Sequence, residues 1–87
     1  MKFKLTHHAS RRIKERKMTN PSKLNLRLPG KKYRALIRRK CNKNGFSGNY
    51  IYFINHSSRK PVYICYALGI GDYLVITAFN LKDEWDF

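Results

Sequence analysis

"KKYRALIRRKC", residues Lys31 to Cys41, is the stretch on which the fold turns. Read with a period of two, it places Tyr33, Ala35 and Ile37 on one face and Arg34, Leu36 and Arg38 on the other. That alternation predicts a β-strand, with Lys40 following two residues later on the arginine face. Downstream, "NKNGFSGN" (42–49) reads as a turn, with Gly45 and Gly48 supplying backbone freedom. "YIYFIN" (50–55) is a second strand, "HSSRKP" (56–61) a turn, and "VYICYAL" (62–68) a third strand. "GIGD" (69–72) is a tight turn before a fourth strand, "YLVITAFN" (73–80). Three hairpin-like links in succession predict an antiparallel meander.

Upstream, the pattern is helical. Met1 to Leu5 alternates lysine with Phe3 and Leu5, as a short leading strand or an extended arm would. Thr6 suits the N-cap of a helix running to about Lys17, on which Ala9 and Ile13 form the apolar stripe. His8, Arg12 and Arg16 lie along the edge of that stripe at i, i+4 and i+8, while His7, Arg11 and Lys14 turn further outward. In "TNPSKLNLRLPG" (19–30), Asn20 can cap, Pro21 suits a first helical position and Pro29-Gly30 ends the element. Leu24 and Leu28 support a second short helix, but Leu24, Leu26 and Leu28 also alternate, and a strand stays open. The expected architecture is α+β: one or two N-terminal helices on one face of a four-stranded antiparallel sheet. A single domain spans residues 1–80, and "LKDEWDF" (81–87) is left as an acidic, aromatic tail.

Composition narrows the function. The chain has 87 residues, 43% of them hydrophobic, which suffices for one small core. Its net charge of +14 is unevenly spread: residues 1–60 hold 18 of the 19 Lys and Arg against Glu15 alone. Self-repulsion on that scale points to a polyanionic partner, with nucleic acid ahead of a membrane surface or an acidic protein. Metal-dependent nuclease chemistry needs clustered carboxylates, and Glu15 is the only acid before Asp72. Cys41 and Cys65 stand 24 apart without a CxxC pair, which fits two reduced cysteines in sheet positions rather than zinc ligands, so neither metal nor cofactor is expected. No apolar run reaches the 18 or so residues of a membrane span, and a cytoplasmic protein is expected.

"LTHHASRRIKERKMT" (5–19) resembles the opening motif of the RelE-like ribonuclease toxins, within the wider barnase, EndoU, colicin and RelE superfamily. The matching residues are His8, Ala9, Arg12, Glu15, Arg16 and the hydrophobic Met18. The basic strand, two central strands and final "YLVITAF" extend the resemblance to about residues 5–80. It implies metal-independent cleavage of RNA on an open basic sheet face. It also implies catalytic roles for His8, Arg12 and Arg16, and more loosely for the hydroxyl of Thr77. His7 is a second candidate for the histidine's role. The implied partners are RNA (tRNA, mRNA or ribosome) and an acidic antitoxin or immunity protein.

The residue types suit that chemistry. Metal-free cleavage needs a base for the 2′-hydroxyl, an acid for the leaving 5′-oxygen and cations for the phosphorane's charge. Histidine serves as acid or base near neutrality, and arginine holds phosphate bidentately while staying charged. Outside the helix, Arg34, Arg38 and Lys40 would track phosphates, joined by the outward His7 and Arg11. Tyr50 and Tyr52 would stack unpaired bases if exposed and join the core if buried. Tyr63 carries the same ambiguity, and His56 reads as a loop residue. Two readings stand beside the endoribonuclease toxin: a non-catalytic nucleic-acid-binding protein on the same scaffold, and an inhibitor that docks through charge alone.

Overall fold

Leucine and cysteine positions overturn the strand at Lys31–Cys41. The computed structural model, which describes residues 1–45, 48–57 and 61–80, has an α-helix there, α2 (Lys31–Lys43). Its buried residues are Tyr33, Leu36, Ile37 and Cys41, the spacing of one helical face. Ala35, expected inside, is exposed, and Leu36, expected outside, is buried. Tyr33 and Ile37 share a face under either period, which is why the alternation misleads. Lys, Arg, Leu and Ala make up most of the segment and favour helix over strand. The last turn carries Lys40 and Lys43, which complement the helix dipole. Asn44 closes it, its backbone N–H donating to Lys40 O and its side-chain amide donating to the same carbonyl at 2.9 Å.

The first helix, α1 (His7–Glu15), begins where Thr6 predicts: Thr6 Oγ1 accepts from Ala9 N at 3.0 Å. It stops two residues short of Lys17. Lys17 adopts φ 53°, Met18 N donates to Ile13 O and Lys17 N to Lys14 O. This is a Schellman ending with lysine where glycine is usual, and Met18 packs on the same apolar cluster as Ile13. The second short helix of the sequence reading is a single 3-10 turn over Pro21–Lys23, capped by Asn20. Leu26 and Arg27 then form a two-residue strand, so each of the two readings of this segment holds for part of it.

The sheet has five strands and is mixed, not four-stranded and antiparallel. They are β1 (Lys2–Leu5), β2 (Leu26–Arg27), β3 (Ile51–Asn55), β4 (Pro61–Gly69) and β5 (Asp72–Asn80), ordered β1-β5-β4-β3-β2. β2, β3, β4 and β5 pair antiparallel in turn, while β1 lies parallel to the first half of β5, Lys2 opposite Asp72 and Leu5 opposite Val75. That partner is some 70 residues away in sequence, beyond the reach of local pattern.

The helices cover opposite faces rather than one. Ala9 and Ile13 of α1 pack with Phe53, Tyr63, Cys65 and Val75. Tyr33, Ile37 and Cys41 of α2 pack with Tyr52, Ile54, Val62 and Ile64, the alternate residues of the same strands. Phe3 brings β1 into the first cluster through rings of Phe53 and Tyr73, at 5.2 and 5.6 Å between centroids. Tyr63 is fully buried, and its hydroxyl donates to Thr19 O at 2.6 Å, tying β4 to the loop after α1. No helix among the described residues is long and apolar enough to cross a membrane. The acidic, aromatic tail (81–87) lies outside the described residues.

Candidate nucleic-acid interface

β1 covers only half of β5, and the uncovered half makes the site. At Thr6, whose N–H donates to Val75 O, the chain leaves the sheet and turns into α1. From Ile76 onward the outer edge of β5 faces α1 instead of a strand. There Arg16 donates from Nη1 to the carbonyl of Ala78, satisfying an edge acceptor that a sixth partner strand would otherwise take.

A bulge then directs Thr77. Ile64 pairs with Thr77 but Cys65 pairs with Val75, leaving Ile76 as an extra residue in β5. Simple alternation would put Val75, Thr77 and Phe79 on one face. With the bulge, Val75 and Ala78 pack toward α1, and Ile76 and Phe79 toward α2. Thr77 follows Phe79, because the two are alternate residues after the bulge.

The result is a cavity of about 600 Å³ where the C-terminal ends of both helices meet β5. Arg12 and Arg16 line it from α1, Lys40, Cys41 and Asn44 from the end of α2, and Ile64, Thr77, Phe79 and Asn80 from the sheet. Three cations and a hydroxyl therefore converge. Lys40 Nζ sits 5.2 Å from the centre of the Phe79 ring, a cation–π contact that holds the ammonium over the cavity floor. Arg12 is engaged by Glu15: Nη1 donates to Oε2 at 3.0 Å, while Arg11 Nε stands 3.7 Å from the other carboxylate oxygen. Glu15 is half exposed, and such a surface pair contributes little, about 0–1 kcal/mol, so a phosphate can replace the carboxylate cheaply.

Both cysteines are buried thiols. Burial pushes the Cys65 thiol up to about 12, and burial also raises Cys41, an effect that Lys40 lessens. Among the described residues no three His, Cys, Asp or Glu side chains cluster as a metal would need.

Of the residues singled out in the sequence, Arg12, Arg16, Lys40 and Thr77 come together. His8 does not line the cavity. It is exposed on the first turn of α1, one turn (about 5.4 Å of rise) before Arg12 on the same side of the helix. His7 and Arg11 are exposed further round. Arg34 and Arg38 belong to a helix, not a strand: they stand four apart on the outer, exposed face of α2. Tyr52 is buried in the core and unavailable for stacking; Tyr50 is half-buried, its ring 5.1 Å from that of Tyr66. The Tyr50 phenol is pushed up first by its hydrogen bond with Tyr66. His56 is exposed just past β3, its backbone N–H donating to Asn25 O. A smaller cavity of about 270 Å³ at the start of α2 is also cationic, lined by Arg27, Lys31 and Lys32 among others.

Cys41, Asn44, Ile64, Phe79 and Asn80 were missed as lining residues. A helical reading of Lys31–Lys43 would have placed Lys40, Cys41 and Asn44 on one side; nothing in the sequence marks the bulge that turns Phe79 and Thr77 inward. Compared with family models, with curated proteins and with solved structures, the chain matches none.

Proposed function

We propose that this protein binds RNA with a phosphate in the α1–α2–β5 cavity and cleaves it without a metal ion. The observation that carries the proposal is the convergence of Arg12, Arg16, Lys40 and the Thr77 hydroxyl in one cavity of a strongly basic chain. In this reading Arg12 and Lys40 hold the scissile phosphate and stabilise the charge that grows on it, with donors placed at developing charge worth roughly 3 kcal/mol each. Arg16 anchors the sheet edge and lends its charge. Thr77 donates to a phosphate oxygen. His8, one turn along α1, takes the proton of the 2′-hydroxyl of the nucleotide entering past the rim; that oxygen attacks the phosphorus as the P–O5′ bond breaks, and a solvent water protonates the leaving 5′-oxygen. The RelE-like resemblance of residues 5–19 supports the same assignment, and with it a toxin that inhibits translation and an acidic antitoxin or immunity protein as its neutralising partner.

A second reading draws on the position of His8 outside the lining: the same cavity binds RNA and does no chemistry. Total RNA incubated with the protein in EDTA separates the two. The enzyme gives fragments ending in 2′,3′-cyclic phosphate that disappear with His8→Ala and fall at least tenfold with Thr77→Val. Intact RNA, with a salt-sensitive gel shift kept by both variants, establishes the binding protein instead.

A further inference from the structure

The face of the sheet that α2 covers is only half covered. α2 rests on Tyr52, Ile54, Val62 and Ile64, and toward the β4–β5 turn the same face of β4 continues into Tyr66, beyond which an irregularity between Ala67 and Gly69 leaves Leu68 without a register partner in β5. Tyr66 and Leu68 are 44% and 51% exposed, and Ile70 at the turn is fully exposed. Leu74 of β5 pairs with Tyr66 and is half-buried. The Tyr66 ring is propped from the β3 side by Tyr50. A free apolar surface with a tyrosine at its centre therefore borders the cationic cavity directly. Ile64 lines the cavity, and Tyr66 is two residues on, roughly 7 Å along the strand. That is comparable with the separation between a phosphate and its own base.

Resting on the RNA-binding reading above, we propose that this bare half-face is a base-stacking platform for unpaired RNA. Tyr66 lies under a nucleobase, with Leu68 and Leu74 as its margin, while the adjoining phosphate occupies the cavity of Arg12 and Lys40. The platform selects single strands. Within an A-form duplex each base is already stacked on its neighbours and its ring face is out of reach. Stacking on an aromatic ring is indifferent to base identity, so the platform fixes strandedness and register rather than sequence. Continuity with the cavity on one sheet face favours RNA over an anionic lipid surface, the other partner that cations beside exposed Leu68 and Ile70 would suit.

The test uses fluorescence anisotropy with a labelled 2′-O-methyl RNA octamer, which resists cleavage. The same octamer in a full duplex, and inorganic polyphosphate as a base-free polyanion, are the comparison probes. Tyr66→Ala is expected to weaken octamer binding about tenfold and to leave duplex and polyphosphate binding unchanged. Tyr66→Phe keeps the ring and is expected to stay within twofold of wild type, which separates stacking from loss of the Tyr50 hydrogen bond. Equal weakening of all three probes by Tyr66→Ala, or no weakening of the octamer, overturns the platform and leaves the RNA-binding reading standing. Wild-type protein that binds no RNA at all overturns both. Loss of binding to phosphatidylglycerol-containing vesicles by Tyr66→Ala and Leu68→Ser, with octamer binding intact, overturns it in favour of a lipid surface.

Discussion

The two helices are similar in kind, each amphipathic and rich in cations, yet they use their charge differently. In α1, Arg11 and Arg12 face Glu15, and Arg16 donates to the carbonyl of Ala78 on β5. The helix is capped by Thr6 at one end and closed by a Schellman turn at the other. α2 starts at Gly30 without a side-chain cap and contains no acid, and Lys31, Arg34, Arg38, Arg39 and Lys43 stand exposed along it. α1 is thus fastened to the sheet by Arg16 in addition to the packing of Ala9 and Ile13, whereas α2 is held by apolar packing and presents its cations outward. The lesson is that a run of Arg and Lys does not report a ligand until the protein's own acceptors have been accounted for. At Arg12, Arg16 and Lys40, cations of both helices line one cavity.

The sharpest way to break this comparison is to challenge the packing of α2. A helix puts Leu36 in the core and Ala35 in solvent; a strand would do the reverse. Leu36→Asp is expected to cost at least ~3 kcal/mol by removing apolar burial and placing a charge there, enough to unfold much of the population. Ala35→Asp is expected to leave the denaturant midpoint nearly unchanged. Equal effects from the two would contradict the helix.

Next comes the division of labour among arginines. Arg16→Ala removes a hydrogen bond from a charged donor to the sheet edge and is expected to cost about 1.5–3 kcal/mol, lowering Tm by about 10 °C or more. Arg34→Ala removes only an exposed cation and is expected to stay within about 0.5 kcal/mol of wild type. A calorimetric scan of both variants decides whether α1 is the fastened helix. A smaller effect of opposite sign follows from Lys17, which holds φ 53° without being glycine. Lys17→Gly relieves that conformation and is expected to stabilise the protein by about 1 kcal/mol, read as a raised urea midpoint. The smallest effect concerns α2's outward charge. If Arg34 and Arg38 each neutralise one phosphate, Arg34→Ala/Arg38→Ala lowers the slope of log K against log salt by about 1.4 for single-stranded RNA. An unchanged slope would confine RNA to the cavity.

Much of the sheet was legible because its strands carry turn residues at both ends. Ile51–Asn55, Pro61–Gly69 and Asp72–Asn80 fall close to the segments that alternation marks. The α+β class follows from the same pattern together with α1. Lys31–Cys41 misled because Tyr33 and Ile37 satisfy a period of two and a helical i, i+4 spacing alike; Leu36 and Cys41 decide between them, and the alternation passed over both. The parallel pairing of β1 rests on contacts across nearly the whole chain, which no local window contains. At the site, Arg12 and Arg16 could be read from helical spacing. Thr77 and Lys40 reach the same cavity for reasons the sequence hides: the Ile76 bulge in one case and the helical state of Lys31–Lys43 in the other.

The central claim is that RNA lies in the cavity between the two helices over β5. Backbone amide shifts followed by NMR during titration with the 2′-O-methyl octamer at 0.15 M salt test it most directly. The account predicts the largest perturbations at Arg12, Arg16, Lys40 to Asn44 and Thr77 to Asn80, with smaller ones at Arg34 and Arg38. Perturbations confined to the outer face of α2, with the β5 amides unmoved, would contradict it.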